Sequence, residues 1–111
     1  MATRIHKPIH PGQILREDVL EELGLSARQV AEILDVPANR ISQIVSGKRA
    51  ITADTALRLS AWLGTTPEFW LGLQTDYDLE MAREEVGQAI AKRITPRDPS
   101  IVVTPPMMPN K

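Results

Sequence analysis

The stretch that most constrains this chain is Ser26–Arg49, SARQVAEILDVPANRISQIVSGKR, which reads as two short helices joined by a tight turn. Ser26 opens the first, because its hydroxyl can accept a backbone N–H bond and cap the helix. Val30, Ala31, Ile33 and Leu34 recur with helical spacing and leave Arg28, Gln29 and Glu32 outside. Asp35-Val36-Pro37 interrupts the pattern. A residue before proline is pushed out of helical dihedrals, which puts the bend at Val36, and Pro37 is tolerated where a new helix starts. The second helix is expected from Ala38 to Ser46, with Ile41, Ile44 and Val45 facing inward, and Gly47 supplies the left-handed residue that ends it.

The second helix has an unusual exposed face. Between Val36 and Ala53 there is no Asp or Glu, while Arg40, Lys48 and Arg49 are basic. Asn39 and Gln43 form an amide pair at i,i+4, and amides can bond adenine through two hydrogen bonds while an arginine can read guanine or hold a phosphate. A short helix with that face, braced across a preceding helix, is the helix-turn-helix reader of the DNA major groove. The competing reading is an ordinary helix pair with a solvated polar face. Small Ala31 where the helices meet, apolar Val36 in the turn, Ile41 and Ile44 as anchors and the local absence of acid all favour the reader.

Composition narrows the rest. At 111 residues the chain is expected to be one domain with its own core. It has no cysteine, so there is no disulfide framework or thiolate metal site, and the expected location is the cytoplasm. No apolar run reaches membrane-spanning length, and no signal-peptide core is present. The net charge of −1 is unevenly spread: residues 1–64 hold 8 Lys/Arg against 7 Asp/Glu, and residues 65–111 hold 5 against 7. Positive charge gathers at the reading helix and its exit, which suits a modest non-specific affinity supplemented by a specific, dimeric contact. His6 and His10 are four apart, but Pro8 lies between them and no third ligand is in sight, so no metal is expected. No nucleophilic set, paired acid/base carboxylates or phosphate loop argues for an enzyme, and no cofactor is implied.

In chain order, residues 1–9 form a short arm, residues 10–93 the domain and residues 94–111 a Pro/Met-rich tail. Pro11 starts the first helix, Gly24 ends it, and Ile14, Leu15, Val19, Leu20 and Leu23 make its buried stripe. Ala50-Ile51 is expected to pack inward before Thr52 caps the fourth helix, whose periodic residues are Ala56, Leu57, Leu59, Ser60 and Leu63. Thr66 caps the fifth helix, with Pro67 at its first position. That helix carries Phe69, Trp70, Leu73, Tyr77 and Met81 along one side, and Phe69 and Leu73 are assigned to the core. Trp70, Leu71, Tyr77, Leu79 and Met81 then spread more large apolar surface than one domain this small can bury, which points to a two-fold protein interface, with residues 67–93 as the dimerisation helix. The tail is expected to be disordered, the alternative being that Ile101–Thr104, which has strand character, pairs with another chain.

Several blocks carry a resemblance: HPG at 10–12, NRIS at 39–42, GKRAITADTALRL at 47–59, PEFWLGLQ at 67–74 and YDL at 77–79. Together they resemble the HigA-type antitoxins, a branch of the Xre/Cro-like helix-turn-helix regulators, over residues 8–85. The resemblance implies an all-α, five-helix, lambda-repressor-like DNA-binding domain that dimerises mainly through its last helix. It also implies repression of the protein's own operon at a near-palindromic double-stranded operator, and neutralisation by direct binding of a small basic toxin, usually an mRNA endonuclease. Carried over by position, Ala38, Asn39, Arg40 and Gln43 fall at or beside base-facing sites, and Ser26, Arg28, Ser46, Lys48 and Arg49 where phosphates are held. Ala38 departs from the long polar readers of the wider class: it can touch a thymine methyl but donates no hydrogen bond. The alternative is a stand-alone Xre-type repressor without a toxin partner.

Overall fold

A computed structural model describes residues 8–98 and residue 100; the arm over residues 1–7 and the strand-like run 101–104 lie outside the described residues. Five helices follow one another, as the resemblance implied. α1 runs unbroken over residues 11–23, α-helical at Pro11–Ile14, π-helical at Leu15–Leu20 and α-helical again at Glu21–Leu23. α2 is Ala27–Leu34, α3 Ala38–Val45, α4 Ala53–Leu63 and α5 Pro67–Arg93.

The caps form where the local chemistry places them. Ser26 and Gln29 make a reciprocal pair at the start of α2: Gln29 N–H donates to Ser26 Oγ at 3.1 Å, and Ser26 N–H donates to Gln29 Oε1 at 2.8 Å. Thr52 and Thr66 cap α4 and α5 through Thr55 N–H and Phe69 N–H. The α2–α3 turn closes through Asp35 N–H to Glu32 O (3.2 Å) and Val36 N–H to Ala31 O (3.0 Å). That pair of bonds requires a left-handed residue just past the helix. The bend is therefore at Asp35, with φ 59°, and not at Val36. A short polar Asp tolerates this region, whereas a β-branched Val does not.

The core is one cluster, and it holds α3 in place. Leu15, Val30, Ile41, Ile44, Ala56 and Leu59 are fully buried, with Ala31, Leu34, Ile51 and Trp70 nearly so. α1 approaches α3 so closely that a Cβ on Gly12 would lie 1.7 Å from the Ile44 carbonyl oxygen. From α5, buried Gln74 accepts the Ile51 N–H at 2.8 Å, which ties the α3–α4 connector to the last helix. Its amide in turn donates to Asp78 at 2.9 Å.

The packing corrects several sequence expectations. Leu23 is exposed on the last turn of α1, and Ile33 and Leu57 are exposed on α2 and α4. Ala50 is exposed, so only Ile51 of that pair packs inward. The larger correction is on α5. Phe69, assigned to the core, is 46% exposed, while Trp70, assigned to a dimer interface, is 1% exposed inside its own chain. The inward line of α5 runs through Trp70, Gln74 and Tyr77, and Phe69 sits one residue, about 100° of helix, away from it. The indole can be buried because its N–H donates to Thr65 Oγ1 at 2.8 Å. No helix among the described residues is long and apolar enough to cross a membrane.

Candidate nucleic-acid interface

α3 has two chemically opposite sides. Ile41 and Ile44 lock one side into the core, and Ala38, Asn39 and Ser42 are exposed on the other. Asn39 and Gln43 share a face by their i,i+4 spacing. Gln43 is half-buried, and its Oε1 accepts from Arg49 Nε at 2.9 Å. The amide nitrogen of Gln43 keeps its two donors for another partner, and Arg49 is held alongside. α3 ends with Gly47 N–H on Ile44 O (3.0 Å) and Lys48 N–H on Gln43 O (2.8 Å), which directs Lys48 and Arg49 away from the helix axis as exposed cations.

Arg40 is engaged within the protein. Its Nη1 donates to Asp54 Oδ2 at 2.5 Å, and the same oxygen accepts from Arg58 Nε at 2.9 Å. Arg58 Nη1 also donates to the carbonyls of Leu34 (2.8 Å) and Asp35 (3.1 Å), at the C-terminal end of α2. One carboxylate thus links α3 to α4, and Arg58 links α4 to α2. Hydrogen bonds from Arg58 and then Arg40 hold the Asp54 carboxyl below the usual carboxylate range. Asp54 also sits in the first turn of α4, where a carboxylate favours the helix dipole. The Asp54–Arg58 spacing of four was legible, but the Arg40 contact was not.

The remaining site residues flank this helix. Ser26 and Arg28 are exposed on the first turn of α2, and the Ser26 hydroxyl, as the cap acceptor, still has a proton to donate. Ser46 is exposed, and its hydroxyl donates to the Gln43 carbonyl at 3.1 Å. His10 sits behind the helix. Its Nδ1 accepts from Gly12 N–H at 2.8 Å, and its ring meets Tyr77 edge-on at 4.9 Å. Burial lowers the His10 pKa, partly offset by Asp78. No group of three or more potential metal ligands occurs among the described residues.

Of the residues assigned to a dimer interface, Trp70 is unavailable. Leu71, Tyr77 and Met81 are half-buried, with Tyr77 packed on His10, and Leu79 is 47% exposed. Beyond Leu79 the exposed apolar side of α5 continues through Val86 and Ile90.

Comparison with known proteins places this geometry. The helix-turn-helix family model matches residues 17–70. The chain is 37% identical to antitoxin HigA-1 of Vibrio cholerae over 90 residues, spanning 81% of this chain and 84% of that protein. It is 52% identical to a solved HigA-family addiction-module antidote protein from Coxiella burnetii, with a TM-score of 0.78 over 82% of this chain and 99% of that one. The chain belongs to the HigA family of helix-turn-helix antitoxins. That family is one of DNA-binding antitoxins and regulators and not of enzymes. A second HigA-family structure, the Pseudomonas aeruginosa antitoxin HigA, was solved with the higBA promoter. It is 39% identical and superimposes with a TM-score of 0.80 over 83% of this chain and all of that one.

Proposed function

We propose that this chain is a cytoplasmic, operator-binding antitoxin that represses its own toxin–antitoxin operon and neutralises the toxin, a small basic mRNA endonuclease, by direct binding. The observation that carries the DNA half is the two-sided α3: an amide face of Asn39 and Gln43 on a helix whose other side, Ile41 and Ile44, is core. The toxin half is supported by the family, whose relatives carry antitoxin names.

In this reading Asn39 and Gln43 contact base edges, and Ala38 lies against a thymine methyl. Arg40 stands beside them. Ser26, Arg28, Ser46, Lys48 and Arg49 hold phosphates and set the register, which carries no sequence information by itself. Two copies paired through Leu71, Tyr77, Leu79 and Met81 of α5 present two α3 helices one DNA turn apart, roughly 34 Å, which demands a near-palindromic operator. The test is footprinting of the purified protein on the DNA upstream of its own gene across a salt series. The expected result is a protected near-palindrome with half-sites one turn apart. No protection at low salt overturns the repressor role. A neighbouring frame encoding a small basic protein that co-purifies with this chain supports the toxin half, and its absence leaves a stand-alone repressor.

A further inference from the structure

The charge cluster behind α3 has a consequence for DNA selectivity. Asp54 is 54% exposed, yet it is anchored from behind by Arg58, which is itself bonded to the end of α2. On its other side it holds Arg40, the one cation within α3, whose side chain is left 26% exposed. We infer that Asp54 sets DNA specificity by retaining Arg40 on the protein, so that this arginine adds little to sequence-independent binding. The inference rests on the operator-binding reading above.

The physical argument is an exchange. A free arginine near DNA gains a phosphate contact and releases counterions on any sequence. An arginine already in a charge-assisted bond must give up a carboxylate to take a phosphate, so little is gained from the swap. Holding Arg40 back lowers the term common to all DNA. The operator is left to be selected by Asn39, Gln43 and the shape of the site.

The experiment compares three full-length proteins: wild type, Asp54→Asn and the double variant Arg40→Gln/Asp54→Asn. Each is titrated by fluorescence anisotropy against an operator duplex and a scrambled duplex of equal length, from about 50 to about 200 mM salt. Circular dichroism melts establish that each is folded at the titration temperature. If Asp54→Asn is not folded there, Asp54→Ser takes its place in both variants. Asp54→Asn is expected to bind the scrambled duplex more tightly, with a lower operator-to-scrambled ratio and a log–log salt slope steeper by about 0.9 per released arginine. The double variant, whose residue pair has the same net charge as in wild type, is expected to return to the wild-type slope. Both variants lack the Asp54 carboxylate and lose the brace equally, so the difference between them isolates the freed guanidinium. Equal slopes for the two variants, or weaker binding of Asp54→Asn to both duplexes, overturn the inference and leave Asp54 as a brace alone. A wild-type chain without preference for the operator overturns the operator-binding reading and this inference with it.

Discussion

Two residues at the start of α1, its cap His10 and Gly12, show how much of the reading unit depends on atoms outside it. Gly12 allows α1 to touch the α3 backbone, and the Ile44 carbonyl is the atom a side chain would strike, at 1.7 Å. Backbone cannot swing aside as a flexible side chain can, so Gly12→Ala should cost at least the upper end of the ~1–3 kcal/mol typical of overpacking. The midpoint of urea unfolding measures this, with Gly72→Ala as the control: nothing lies within 4 Å of a Cβ there, and that change should leave stability unchanged or raise it. His10 caps the same helix through an Nδ1 that must be unprotonated to accept from Gly12. Its folded pKa is lowered, first by burial, so the unfolded chain takes up the proton more readily. Its contribution is therefore complete above the unfolded pKa of about 6.5 and is lost as pH falls through the lower folded value. Urea midpoints measured at about pH 7.5 and about pH 5 should differ in that direction. His10→Asn keeps a capping oxygen without a titrating group, and should narrow the difference.

At the scale of the element, α3 is a rigid platform whose two ends do different work. Its first turn offers Asn39, and its exit offers Lys48 and Arg49. Gln43 lies between, tied to Arg49. Gln43→Ala should cost roughly 1–3 kcal/mol on the operator and relax the preference at one base pair, with little effect on scrambled DNA. Lys48→Ala should weaken binding on every sequence and flatten the salt slope by about one. Competition titrations on single-base operator variants separate the two behaviours, and equal losses for Gln43→Ala on operator and scrambled duplexes would count against base reading. The proline start and the Gly47 exit of this element were legible in the sequence, because each depends on atoms only a few residues away. The Arg40 contact to Asp54 was not legible, because the partner stands on the next helix.

The whole molecule is a small five-helix core with a long projecting arm. At 1.5 Å per residue the 27 residues of α5 reach about 40 Å, and from near its midpoint onward Leu79, Val86 and Ile90 are exposed. If that seam joins two copies, Val86→Glu should move the protein from dimer to monomer in sedimentation at micromolar concentration. Operator affinity should fall with it, and the melting temperature of the core should change little because Val86 is 43% exposed. Trp70→Ala should do the opposite. It empties a buried site and should cost about 3–5 kcal/mol of stability, with oligomeric state unaffected in the molecules that remain folded. A loss of dimer without loss of stability in Trp70→Ala would restore the interface role that its burial argues against.

Legible along the chain is what is local: the five helices, the caps at Ser26, Thr52 and Thr66, the left-handed ends at Gly24 and Gly47, and the polar face of α3. Each depends on hydrogen bonds or side-chain spacing within a turn or two of helix. Packing between helices selects the rest: Trp70 faces in and Phe69 out, Gln74 holds the Ile51 N–H, and Arg58 closes the end of α2. Those hydrogen bonds join residues 23 and 24 apart in the chain. Helical spacing shows which residues share a face, but the angle at which two helices cross selects which face is covered, and that angle comes from the packing of all five helices together.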